Sequence, residues 1–427
     1  EPDFDAPEQM IAYVSQAELG LPARNAYFDT TSQARARRRA YLTHIAAMLQ
    51  LAGIRDAGLA DEVLALETAL AAASASRREL ARDIAARYRP IDIDAADRAA
   101  SRFPWSTFFR ALGVEPPARF SLATPDFHET VDALLVSAPA STWRAYVAFH
   151  TIDSAAPYLG RDFETQHHDF HRRVLRGQKS VEARWRRVLE AIDAHVPDAM
   201  GRLYVARCRP DQPRCQVEAI AETVRAAMRT RLEAIEWMAE ATRRSGLRKL
   251  STLRFRIGHP ERWRDLSGLV TSPHSLHANV LAARRFEQRE RIARIGRRTD
   301  RARWSMSPQT VNARYDPHRN EVVVPAAMLA PPFFDPAADA ALNYGGIGAV
   351  MAHELTHAFD DQGSRFDAAG RFTDWWTGED RARFDALAER MRAHFDVVPA
   401  SGGGRIDGPS RERGGCGRSG PRRRAQQ

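Results

Sequence analysis

The run Ile347-Gly348-Ala349-Val350-Met351-Ala352-His353-Glu354-Leu355-Thr356-His357-Ala358-Phe359-Asp360-Asp361 sets two imidazoles and three carboxylates in an otherwise apolar segment. Its apolar positions predict a buried helix reaching about Phe359. Residues four apart project from one face of a helix, so His353 and His357 can offer two ring nitrogens to one ion at about 2.0–2.1 Å. Two imidazoles and a carboxylate on a buried helix demand compensation, and a metal supplies it. Zinc is the expected ion, one per chain, because neutral imidazole suits a redox-inert cation that keeps an open coordination position. Glu354 leans into the same site, where a carboxylate can take a proton from metal-bound water and pass it to a leaving amine. Asp360 follows a turn later, where a carboxylate can accept the second N–H of a ligating imidazole and fix its tautomer. Metal-assisted amide hydrolysis is the chemistry these residues imply.

Working outward, Asn343-Tyr344-Gly345-Gly346 leads into this helix from a Pro-rich loop over 325–336. Before that loop, the β-prone runs 310–315 and 321–324 are separated by Asp316-Pro317-His318-Arg319-Asn320, which reads as a hairpin. From the start to about residue 295 the spacing of apolar residues is helical almost throughout, with breaks that imply roughly ten helices. Trp185, Val188, Leu189 and Ile192 form one stripe, and Val217, Ile220, Val224, Met228, Leu232 and Ile235 another. Both are expected to be core. A further helix begins near Glu379, and periodicity stops after about Pro399. The expected fold is mainly α, with a helical lobe over 1–272, a partial α+β lobe over 273–400, and an aberrant Arg- and Gly-rich tail over 401–427 with no ordered structure.

Composition, at 44% hydrophobic and 27% charged over 427 residues, is that of a soluble globular protein with two or three domains. No apolar run is long enough to span a membrane, and Glu1-Pro2-Asp3-Phe4-Asp5 shows no export signal. The chain starts without Met, so an upstream portion is expected to be missing. Of the formal +9 charge, the tail supplies +5, with seven Arg against Asp407 and Glu412. Nucleic-acid binding would rest on that tail alone and is set aside. Only Lys179 and Lys249 are lysines, which reads as coding bias toward arginine. Cys208 and Cys215 flank a turn-like segment and are expected to be two thiols rather than a disulfide. His167, His168 and His171 sit among Gln166, Asp169, Arg172 and Arg173, which reads as a solvated helix face. His274 and His277 read as caps or surface residues.

Several segments resemble the neprilysin family of zinc metallopeptidases, including its bacterial oligopeptidase members. They are 306–313, Asn320 to Pro325, Pro331-Pro332-Phe333-Phe334, 343–348, His353 through Gly363 and Asp374-Trp375-Trp376. Upstream, Gly20-Leu21-Pro22, 141–146, Gly177-Gln178-Lys179 and Trp263-Arg264-Asp265 are similar to the same family's helical lobe. The resemblance implies a thermolysin-like catalytic lobe paired with a helical lobe that caps a cavity suited to oligopeptides. It implies that His353 and His357 bind zinc, that Glu354 is the general base and acid, and that Asp360 orients a ligand. Asn312 and Ala313 are implied to hold substrate backbone, in keeping with strand addition. It also suggests an extracytoplasmic location, periplasmic or secreted. Arg314, Val324 and Ala352 depart mildly from the family pattern.

The larger departure lies in the tail. The family's third zinc ligand is the Glu of a Glu-Asn/Ser-x-x-Asp helix, whose place here falls in 410–420, among residues unable to pack a helix. Glu412 and Cys416 are the nearest donors there, and Glu379 and Glu389 are alternatives on the preceding helix. Read one base forward, codons for Arg411 to Cys416 permit the family motif, so the tail has the texture of a shifted frame. Two readings therefore stand: the catalytic chain of a zinc-dependent endopeptidase of oligopeptides, expected to be incomplete at both ends, or a catalytically inactive fragment of such an enzyme that lacks the third zinc ligand, with at most a binding role.

Overall fold

The computed structural model describes residues 1–56, 58–76, 79–80 and 84–396, with side chains through residue 394. The fold is mainly α, and the chain forms two compact units interleaved in sequence. The first comprises Glu1, Met10–Val196 and Asp265–Arg297; the second comprises Pro2–Gln9, Pro197–Arg264 and Arg298–Gln427. The tail over 401–427, with Glu412 and Cys416, lies outside the described residues.

In the first unit, helices Ser32–Leu51, Leu59–Ala73 and Ala140–Ala155 surround a core of Tyr41, Ile45, Met48, Val63 and Phe149. Thr31 caps the first of these, its side chain accepting from the Ala34 amide. Glu67 is fully buried in this core and is satisfied there, accepting from Tyr27 Oη at 2.7 Å and Tyr41 Oη at 2.9 Å, with His150 Nε2 at 2.5 Å. A small mixed sheet not anticipated from sequence joins β1 (Tyr13–Val14), β2 (Pro90–Asp92) and β3 (Arg119–Leu122) in the order β1-β3-β2. Trp105 and Phe109 pack against Phe120 of β3.

In the second unit, helices Asp211–Glu233 and Glu240–Thr252 are followed by β4 (Arg254–Gly258), β5 (Arg314–Asp316) and β6 (Glu321–Pro325), ordered β4-β6-β5. β5 and β6 form the expected hairpin, with Tyr315 opposite Val322. β4 runs parallel to β6 along its whole length, from Arg254 opposite Glu321 to Gly258 opposite Pro325. The run Val322-Val323-Val324 is therefore central and wholly buried, as a continuous β-branched run suits. Val217, Ile220, Leu232 and Leu250 share one core with β6 and with Ile347, Met351 and Leu355 of the histidine-bearing helix.

These contacts correct two expectations. The border at residue 272 is not where the units divide. Pro197–Arg264 belongs with the strands because β4 completes their sheet, whereas Asp265–Arg297 belongs with the first unit. Of the two expected core stripes, the one on Asp211–Glu233 is packed, with Val217 and Ile220 buried and Val224, Met228 and Ile235 against the same core. The other is open. On Arg184–His195 only Ala191 is buried, and Trp185 is 60% exposed with the Arg186 guanidinium over its ring.

Candidate metal centre

The histidine-bearing helix is reached through one continuous helical path: Ala340–Asn343, a π-helical turn over Tyr344–Gly348, then Ala349–Thr356. Close backbone approach explains Gly346, since a Cβ there would lie 2.3 Å from the Phe333 carbonyl oxygen. The helix ends at Thr356 rather than Phe359, so His357 stands at its C-terminus, where the helix dipole favours a cation. Met351 and Leu355 point into the core, which turns His353, Glu354 and His357 to the opposite, half-buried face.

His353 Nε2 and His357 Nε2 lie 3.3 Å apart, with ring planes at 86°. Two ligands about 2.05 Å from one zinc would subtend about 107° at that separation, close to tetrahedral. The donor set fits the ion. Glu354 joins the same cluster, the ligand atoms of all three residues lying within 4.8 Å of one another. The Tyr315 amide, on edge strand β5, donates to Glu354 Oε2 at 3.0 Å. Asp360 Oδ2 holds His357 Nδ1 at 2.7 Å, while its Oδ1 accepts from the Gln362 and Gly363 amides at 2.9 and 2.7 Å. The hydrogen bond that His357 donates to Asp360 outweighs burial and raises the His357 pKa. A ring that donates through Nδ1 keeps the Nε2 lone pair for a metal.

The expected residues are thus partly assembled. His353, Glu354, His357 and Asp360 come together. Asn312 and Ala313 immediately precede β5, Asn312 exposed and Ala313 buried in the core. Glu379 and Glu389, the alternative third ligands, do not reach the site. Their side chains are 84% and 70% exposed and pair with Arg383 and Arg392 on their own helix. Among the described residues, no further carboxylate or thiol joins the two imidazoles and Glu354. Cys208 and Cys215 are free and exposed.

The second histidine cluster is not a solvated face. A π-helical stretch over His168–Val174 turns His171 inward, and its Nε2 lies 2.9 Å from Asp153 Oδ2. His44 Nε2 takes Asp153 Oδ1 at 2.9 Å, and Gln166 Nε2 lies 3.2 Å from His44 Nδ1. Each carboxylate oxygen is taken by an imidazole, so the network closes without an ion, although its donor atoms are near enough to hold one. Burial alone would raise the Asp153 pKa; the bonds from His171 and His44 outweigh it and hold the carboxyl well below its usual range.

Sequence reasoning missed Lys249. Its helix, Glu240–Thr252, puts the side chain in full burial, with Nζ donating to the carbonyls of Ala358, Gly363 and Phe366 at 2.8, 2.6 and 2.6 Å. The available signal was rarity: 63 Lys and Arg residues include only two lysines.

Residues 1–260 and 312–410 match two models described as peptidase family M13, the first being its N-terminal part. Among curated proteins, membrane metallo-endopeptidase-like 1 of Mus musculus is 28% identical over 411 residues, covering 89% of this chain and 53% of its own length. Neutral endopeptidase of Lactobacillus helveticus is 28% identical, covering 74% of this chain and 49% of its own. The chain spans about half the length of the curated relatives it matches. The solved structure of Mycobacterium tuberculosis zinc metalloprotease Zmp1 with an inhibitor superposes with TM-score 0.90 at 32% identity, over 97% of this chain and 64% of that one. PepO from Lactobacillus rhamnosis HN001 gives 0.89 at 25% identity, over 97% and 66%. No helix among the described residues is long and apolar enough to cross a membrane.

Proposed function

Since the chain belongs to peptidase family M13, we propose that it carries the zinc-binding part of a metalloendopeptidase that hydrolyses peptide bonds of oligopeptides. The observation that carries this reading is the 3.3 Å pairing of His353 Nε2 with His357 Nε2, with Glu354 in the same cluster. Zinc, when bound, supplies a Lewis acid that polarises a peptide carbonyl and acidifies water.

The remaining work falls to side chains and backbone. By accepting from His357 Nδ1, Asp360 leaves the Nε2 lone pair free for the zinc that His353 and His357 would hold. The Tyr315 amide fixes Glu354 Oε2, which leaves Oε1 to take the proton of the attacking water and return it to the leaving amine. β5 is an edge strand, and the backbone of Asn312 and Ala313 continues it, so an extended peptide could add there through main-chain hydrogen bonds.

A second reading, zinc retention without turnover, is favoured by the two-imidazole donor set among the described residues. Both are tested by measuring zinc content and cleavage of a quenched-fluorescent oligopeptide by the chain and by Glu354→Gln. The proposal expects equal zinc and turnover lowered about 10²–10⁴-fold in the variant. Equal turnover in both proteins would refute it. Stoichiometric zinc with no turnover in either would establish the second reading.

A further inference from the structure

We propose that Lys249 is a positioning residue of the metal centre, tying together the two segments that orient its imidazole and its general base. This deepens the zinc-peptidase reading and rests on it. One segment is the turn from His357 to Phe366. It folds back so tightly that a Cβ on Gly363 would lie 1.8 Å from the His357 carbonyl oxygen. Ala358, Gly363 and Phe366 are buried, and each directs its carbonyl at the Lys249 ammonium. Within this turn sits Asp360, holding His357 Nδ1. The ammonium therefore fixes the loop that fixes the carboxylate that fixes the ligand.

The other segment is the hairpin. The Lys249 carbonyl accepts from Asn320 Nδ2 at 2.9 Å, and Asn320 Oδ1 accepts from Tyr315 Oη at 3.0 Å. Tyr315 is the residue whose amide holds Glu354. Asn320 is buried at φ 48° in the hairpin turn, a left-handed conformation Asn tolerates. Side chain and main chain of a single residue thus reach both halves of the site.

The chemistry selects lysine. Three acceptors 2.6–2.8 Å from one nitrogen need a compact point donor with three rotatable N–H groups. A guanidinium spreads its donors over a planar fork and occupies more volume. The Tyr315, Phe359 and Trp375 ring centroids lie 5.7, 5.9 and 5.8 Å from the ammonium. In a chain dominated by arginine, Lys249 is the one lysine or arginine that is buried among the described residues.

The test is zinc affinity by chelator competition on Lys249→Met, Lys249→Arg, Asp360→Asn and the double variant Lys249→Met/Asp360→Asn. The exposed Lys179→Met serves as control, and circular dichroism checks the fold. Lys249→Met and Lys249→Arg are each expected to weaken zinc about 10–100-fold, the range for partners that orient a ligand. Because Lys249 acts through Asp360, the double variant should be no more than about threefold weaker than the weaker-binding single variant. Should Lys249→Met not fold, Lys249→Gln, which keeps two donors, takes its place in the same cycle. Asn320→Gly, which keeps the backbone turn, should lower turnover at least tenfold with zinc affinity within threefold of the parent. A folded Lys249→Met that binds zinc as the parent does, or effects that multiply in the double variant, would overturn the role. The zinc outcomes for Lys249 and Asp360 are independent of peptide turnover in the parent, whereas a parent chain that binds no zinc would refute the metal reading itself.

Discussion

His167 makes the helical unit sensitive to mild acid. Burial lowers its pKa to about 4, with repulsion from His171 in the same sense and Asp153 opposing. In the unfolded chain an unperturbed imidazole titrates near 6.5. The folded value is the depressed one, so the unfolded chain takes up the proton first as pH falls. Stability is present above about 6.5 and is lost between there and about 4, where the folded form also protonates. At pH 5 this linkage favours unfolding by a factor of about 30, or about 2 kcal/mol. Phe at this position keeps a ring against His171, whose centroid is 4.3 Å from that of His167, and removes the titration. Global unfolding would mix two compact units, so the assay is hydrogen exchange of peptides from Ser32–Leu51 and Ala140–Ala155 at pH 7 and pH 5. Comparing parent and His167→Phe at each pH cancels the intrinsic exchange rate. The parent's protection should fall by about 2 kcal/mol more than the variant's. Parallel pH dependence in the two proteins, or a parent that gains protection in acid, would refute the reasoning.

Two further outcomes follow from the centre itself. Asp360→Asn replaces an acceptor-only group with an amide that can present a donor to His357 Nδ1, and zinc affinity should fall about 10–100-fold, read by chelator competition. Gly363→Ala puts a methyl 1.8 Å from the His357 carbonyl oxygen, so the turn must open; zinc loading should drop at least tenfold, and a crystal structure showing the turn unmoved would contradict the account.

The site was legible in sequence because its chemistry is local. His353, Glu354, His357 and Asp360 lie on one helix and the turn after it, so a spacing of four and a carboxylate one turn on were enough. The hairpin was legible because Asp316 to Asn320 break two β-branched runs. β4 was not, though Arg254-Phe255-Arg256-Ile257 does alternate, because a four-residue alternation directly after a long helical pattern is weak evidence until a partner strand is known. That partner is β6, more than sixty residues later, and the same distance hid the true division of the units. His171 was misread because a π-helical turn rotates it away from the face that regular helical spacing assigns. Lys249 escaped because its three acceptors come from 109 to 117 residues further along. Glu379 and Glu389 show the converse: carboxylates of the right kind and near in sequence, but turned to solvent.

The interleaving of the two units has a consequence for synthesis. Residues 197–264 leave the ribosome with Val217, Ile220 and Leu250 ready to pack, but the strand that covers them ends only at Pro325. At about 5–20 residues per second, the wait is roughly 3–12 s. Meanwhile the first unit is itself unfinished until Arg297. Neither body can close before the other has been interrupted, so nascent chains carry an open apolar helix pair for seconds. A translational pause between codons 264 and 325 would lengthen that interval.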